Sequence, residues 1–112
     1  MILVTGSNPD LAGETCDFLV AEGFNVLFQP DCALAFQQAV QEKPSLVVIS
    51  YPEEKMECMQ FMQKLRHTPG IEKTPLVVMS MHERDHHTFP IQPGCFYNDH
   101  GDLLTKVRGL LS

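Results

Sequence analysis

Positive charge is what this sequence has least of. Eight Lys and Arg residues stand against fourteen Asp and Glu, for a formal net charge of −6 and a pI near 5.2. The cations are scattered along the chain, which disfavours nucleic-acid binding through a basic surface. Long apolar runs are also missing: no segment approaches the roughly 20 residues that span a bilayer. The opening MILVTGS has no positive n-region and is too short for a signal peptide. The four cysteines, Cys16, Cys32, Cys58 and Cys95, form no C-x-x-C pair. Without a secretory context or close spacing they are expected to be reduced thiols in a cytoplasmic protein, buried as small hydrophobes. The apolar fraction of 44% and charged fraction of 20% are ordinary for a globular protein. The 112 residues are expected to form one domain over 1–112, which buries roughly two thirds of its unfolded surface.

What is there is a set of short apolar runs separated by helical patterns. SLVVISYPEEK, residues 45–55, contains Leu46, Val47, Val48 and Ile49 without a polar break. Such a run suits a strand covered on both faces, as in a parallel sheet. ILVT at 2–5, FNVLF at 24–28 and PLVVMS at 75–80 read as three more strands, and GCFYN at 94–98 as a weaker fifth. Asn8, Pro9 and Asp10 suit a helix entry. Leu11, Thr15, Phe18 and Leu19 follow helical spacing up to Gly23. Cys32, Ala35, Phe36, Ala39 and Val40 lie on one apolar face, and Pro44 closes that helix. Cys58, Phe61, Met62 and Leu65 make a third stripe. Leu103, Leu104, Val107, Leu110 and Leu111 make the last, with Asp102 and Arg108 complementing the helix dipole. Alternating strands and helices imply right-handed βαβ units in a three-layer α/β sandwich. One helix is short or missing: MHERDHHTFPIQP, 81–93, with two prolines, leaves room for about one turn.

This order of elements, with several local strings, resembles a response-regulator receiver domain over nearly the whole chain. ILVTGSNPDLAGETCDFLVAEGFNV has the length, the Asn-Pro-Asp entry and the AEGF-V exit common in that family. EKPSLVVIS resembles its KPDLVLLD strand, FMQKLRHTPGIEKTPLVVMS its FLKRLR…TPIIVLT segment, and LLTKVRGLL its last helix. The resemblance implies a flavodoxin-like, CheY-like fold: a five-stranded parallel sheet in the order 2-1-3-4-5, with the fourth helix shortened or missing.

The family's functional residues carry over badly. Its phosphoacceptor aspartate falls on Ser50, and the acidic pair that helps hold Mg²⁺ falls on Gly6 and Ser7. The lysine at the end of strand five has no counterpart; Asn98 and Asp99 stand nearest, and Lys106 lies inside the last helix. Only the switch hydroxyl after strand four remains, as Ser80, and the strand-five aromatic survives as Phe96 or Tyr97. Acyl-phosphate formation needs a carboxylate nucleophile, and the transfer relies on a metal and fixed cations. Mg²⁺ is normally recruited by one or two carboxylates, and the matching positions hold none. The expectation is a degenerate pseudo-receiver: no enzyme, no cofactor, no bound metal, signalling by protein contact. The resemblance implies a partner such as a histidine kinase, an output domain or a regulator, or a second copy. Family members dock through the face around strand five and the last helix, which here offers Phe96, Tyr97, Asp99 and Leu103.

Other constellations stand beside this resemblance. His82, His86 and His87 stand close to Glu83 and Asp85. His82 and His86, at i and i+4, would share a helical face as a Zn²⁺ or Ni²⁺ pair, or sense pH; a solvated polar loop is the plainer alternative. VTGSNPDLAG resembles the nucleotide-binding opening of short-chain reductases, the competing class being a small nucleotide- or ligand-binding domain. Asp10 and Ala12 nevertheless stand where that pattern wants glycine, and an aspartate there would repel a phosphate. Met59 and Met62, at helical spacing, are expected to fill core gaps.

Overall fold

A computed structural model of the protein describes residues 1–6, 9–49, 55–79, 96–97 and 100–111. The elements in chain order are β1 (Ile2–Thr5), α1 (Pro9–Ala21), β2 (Val26–Phe28), α2 (Cys32–Glu42), β3 (Leu46–Ile49), α3 (Lys55–Arg66), β4 (Leu76–Met79), β5 (Phe96–Tyr97) and α4 (His100–Leu111). β1 is flanked by β2 and β3, and β4 lies beyond β3, all parallel. A two-residue β5 adds in parallel at the free edge of β4. The order 2-1-3-4 is the one the resemblance implied. The 81–93 segment, expected to hold a shortened helix, lies outside the described residues.

The continuous apolar strands are explained by what covers them. Successive side chains of a strand point to opposite faces. Leu3, Val47, Ile49, Leu76 and Val78 accordingly join Ala35, Ala39, Phe61, Met62 and Leu65 in one core beneath α2 and α3. Ile2, Val4, Leu46, Val48 and Val77 join Cys16, Leu19, Leu103 and Val107 in a second core beneath α1 and α4. Both faces of β1, β3 and Leu76–Val78 of β4 are buried, which suits their unbroken apolar sequence. Met62 is fully buried, in keeping with its core-filling role.

Local signals set the helix ends. Asp31, extended at φ −88°, is the N-cap of α2; its Oδ1 accepts from the backbone N–H of Ala33 at 2.8 Å and of Leu34 at 3.1 Å. The helix stops at Glu42, and Lys43 takes a left-handed conformation at φ 48° with its N–H on the Ala39 carbonyl. The next residue, Pro44, disfavours helical geometry at Lys43, so the closure sits one residue earlier than the proline itself. Gly23, at φ +94°, ends α1 in the conformation that glycine adopts without a Cβ penalty. Arg66 at the end of α3 donates from Nη1 to the carbonyls of Glu72 (3.1 Å) and Thr74 (2.7 Å), fixing the turn that delivers β4.

Three sequence expectations are corrected by packing. Val40, placed with the apolar face of α2, is 40% exposed, whereas Ala35 and Ala39 are buried and Phe36 is half-buried. Leu110 and Leu111 of α4 are likewise exposed, leaving Leu103 and Val107 as its buried anchors. Strand two is three residues long, not five, and only half-buried because it lies at the sheet edge.

Candidate functional site

β1, β3 and β4 run in the same direction and end nearly level. Thr5 pairs with Ile49, and Ile49 with Val78, one residue before the end of β4. In open parallel sheets the crevice outside these carboxyl ends is where ligands bind. Thr5 is fully buried, and Gly6, also buried, follows it directly. Among the described residues the rim consists of Thr5, Gly6, Ile49 and Met79, none of which carries charge. Ser7, Ser50 and Ser80 lie outside the described residues.

Phe96, Tyr97, Asp99 and Leu103, expected on an interaction face, are described in part. The main chain of Phe96 and Tyr97 forms β5, opposite Val78 and Met79; Asp99 lies outside the described residues. Leu103 is corrected: its side chain is 0% exposed and belongs to the core between the sheet and α4. It faces inward because α4 covers the sheet through two anchors only, and Leu103 is one of them.

α4 is tied to α1 by contacts that sequence reasoning missed. His100, the first residue of α4, places Nε2 3.3 Å from Oγ1 of the buried Thr15. Its ring stacks on Phe18 with centroids 4.9 Å apart at 22°. Further along, Arg108 meets Glu22 at 3.5 Å, while Lys106 pairs with Asp102 within the helix at 3.0 Å. Thr15 and His100 are 85 positions apart, and no local pattern connects residues at that distance.

The remaining sequence candidates are quiet or lie elsewhere. Burial, with a smaller contribution from the Asp17 carboxylate, pushes the Cys16 thiol up to about 11. Such a thiol stays protonated and unreactive near neutral pH. His82, His86 and His87 lie outside the described residues, and among the described residues no three His, Cys, Asp or Glu side chains gather as a metal site. Ala12 is fully buried, and a Cβ built on Gly13 would meet nothing within 4 Å. No close backbone approach at Gly13 therefore demands its glycine. No helix among the described residues is long and apolar enough to cross a membrane.

Solved structures share this fold. The N-terminal domain of a response regulator receiver protein from Methanoculleus marisnigri JR1 matches with a TM-score of 0.69 at 13% identity, over 99% of this chain and 95% of that one. The fold is the receiver fold. The pseudo-receiver domain of the CikA protein matches with a TM-score of 0.64 at 22% identity, over 99% of this chain and 96% of its own. No family model and no curated protein matches the sequence. Outside the carboxyl ends of β1, β3 and β4, where open parallel sheets bind ligands, the described rim residues are neutral.

Proposed function

We propose that this chain is a receiver-like signalling domain that acts without being phosphorylated, as a protein-interaction module in a two-component-type pathway. One observation carries the reading: by the resemblance in sequence, the residues that fall where the family has its acidic pair and phosphoacceptor are Gly6, Ser7 and Ser50. A divalent cation there would meet one glycine and two hydroxyls where one or two carboxylates are usually required. A serine nucleophile would need an adjacent general base, and the matched positions supply neither His nor Lys. The sheet persists regardless, because burial of its aliphatic strands drives folding whether or not the rim is charged. The domain is thereby assigned no catalytic role and no cofactor. Its partner is a cytoplasmic signalling protein, namely a kinase, an output domain or a regulator, approached near β5 through Phe96, Tyr97 and Asp99.

The test is a titration of the isotopically labelled protein with Mg²⁺ and beryllofluoride, followed by chemical shifts. Residues 6, 7, 50 and 80 are expected to stay unmoved. Saturable shifts at those positions at micromolar concentration would sink the reading. A thermal-shift screen with nucleotides addresses the competing ligand-binding class, for which the melting temperature would rise with ligand concentration.

A further inference from the structure

Among the described residues no strand lies beyond β2, the terminal strand of the sheet. The Asn25 carbonyl accepts the Ile2 N–H at 2.8 Å, and the Gln29 N–H donates to the Val4 carbonyl at 2.9 Å, so both residues turn their main chain to β1. Hydrogen-bonding direction alternates along a strand. Leu27 therefore faces β1 with them, and the N–H and C=O of Val26 and Phe28 point outward. A row of open donors and acceptors is a template for one kind of occupant, another strand. Edge strands are commonly guarded by lysine or proline, and Val26–Phe28 contains neither.

The side chains around this edge are apolar and uncharged. GFNVLFQP, residues 23–30, carries no charge. Phe24, Val26 and Phe28 lean on the core beneath α1, Leu27 leans on the core beneath α2, and all four are half-buried. α1 meets α4 through Thr15, Phe18 and Glu22, so its opposite flank, which includes Val20, turns to the β2 edge. α2 meets α3 where Lys64 lies over Phe36, so its opposite flank, which includes Leu34, turns to the same edge. Val20 at 57% and Leu34 at 47% are the most exposed large apolar side chains among the described residues. The acids that bracket the stretch are engaged elsewhere: Glu22 pairs with Arg108, and Asp31 caps its own helix.

We propose that β2 is a homodimer interface at which the sheets of two copies join edge to edge, antiparallel about a two-fold axis normal to the sheet at Leu27. Val26 then lies opposite Phe28 of the second copy, and Phe28 opposite its Val26. These are the residues whose main chains face outward, so each pair exchanges both N–H···O=C bonds, as a hydrogen-bonded antiparallel pair requires. Leu27, whose main chain is taken by β1, falls on the axis at the non-hydrogen-bonded position. The axis preserves the faces: Val26 and Phe28 remain on the α1 side in both copies, where branched and aromatic side chains make favourable cross-strand neighbours. The register has no equal alternative. Slipping by two residues sets Phe28 against Phe24, whose N–H is held by the Leu19 carbonyl, or Val26 against Pro30, which has no N–H. A contact that returns on itself in this way is what a two-fold interface needs. Two chains of net charge −6 repel over most of their surfaces, and this uncharged edge is where they can approach. A three-residue strand with its flanks is small beside the roughly 800 Å² that each partner gives a standard interface, so the dimer is weak and concentration-dependent. Neither the rim nor β5, at the opposite edge of the sheet, takes part.

Sedimentation of the full chain from about 10 µM to about 1 mM covers the range of so small a contact. The mean mass is expected to rise with concentration toward that of a dimer. Over the same range, solvent exchange of the Val26 and Phe28 amides, read by NMR, is expected to slow in proportion to the loss of free monomer. The amides of Leu27 and Gln29, already bonded to β1, should keep their rates. Val26→Pro removes an outward N–H from each copy and leaves the β1 bonds in place, a substitution that edge strands accept. It is expected to weaken association at least about tenfold. The amide measurement on the parent chain decides the matter whether or not this variant folds. A chain that stays monomeric at the highest concentration overturns the proposal and leaves the edge to a foreign strand. A dimer in which Val26 and Phe28 exchange as fast as in the monomer also overturns it, since it uses another face. So does undiminished association of a folded Val26→Pro chain.

Discussion

The helices on one side of the sheet, α2 and α3, and the last helix on the other side, α4, are held to it by different means. α2 and α3 are anchored by a broad set of apolar side chains, among them Ala35, Ala39, Phe61, Met62 and Leu65. Lys64 adds a cation over the Phe36 ring at 5.8 Å. α4 has two buried anchors, Leu103 and Val107, and gains its remaining hold on α1 through His100 and Arg108. A layer built on aliphatic burial is robust to single polar changes. A helix that hangs on two anchors and a few polar contacts has its orientation set by those contacts, and α4 lies next to β5.

The largest expected effect tests whether burial dominates on both sides. Leu65→Ala and Leu103→Ala should each cost about 2–5 kcal/mol in chemical denaturation, by transfer plus cavity terms. Loss of Leu103 should in addition speed amide exchange in α4 selectively. A cost well below that range for Leu103→Ala would show that α4 does not depend on its apolar anchor. Next comes Arg66→Ala, which leaves the Glu72 and Thr74 carbonyls without their charged donor. It should cost about 1.5–3 kcal/mol, and restoration by Lys should be incomplete because an ammonium lacks the guanidinium geometry.

His100→Ala removes both the hydrogen bond to Thr15 and the stack on Phe18. A loss of about 1–2 kcal/mol is expected, together with shift changes in α1 near residues 15 and 18. If α1 is unaffected, the polar stitch between the two helices does not set their packing. Cys16 offers a pH comparison. Its thiol is raised from 9.0 to about 11 in the fold. The fold thus favours the protonated form: the associated stability is present in full below pH 9 and is lost as pH rises through about 11. The stability difference between the parent chain and Cys16→Ala, measured in urea, should accordingly narrow from pH 8 to pH 11. The smallest effect is expected for Arg108→Ala, whose side chain is 62% exposed in its pair with Glu22. A change of no more than about 0.5 kcal/mol should be found, and it should vanish at high salt.

Much of the fold was legible in the sequence because each βα unit announces itself locally. The uninterrupted Leu46–Ile49 run called for cover on both faces, and the two cores supply it. Asp102 and Arg108 marked the ends of the last helix, where α4 begins and finishes. The candidate site was read through resemblance: Gly6 and Ser7, Ser50, and Ser80 stand far apart in the sequence, and Ser7, Ser50 and Ser80 lie outside the described residues. The helix faces were read too broadly. A 3.6-residue period locates an apolar stripe but does not measure its width, and Val40 and Leu110 at the stripe margins turned out to face water.

By itself, then, the sequence determined the alternation of strands and helices, the burial of the sheet on both sides and the neutral chemistry of the residues that follow strands one, three and four. These are properties of neighbours along the chain, set by apolar run length, turn residues and residue type. Only the tertiary structure decided that Leu103 points into the core and Val40 out of it, that His100 reaches Thr15 across 85 positions, and that β2 lies at the edge of the sheet. Those outcomes depend on how closely each helix lies on the sheet and on which neighbour it meets, and such distances arise only once the chain has closed on itself.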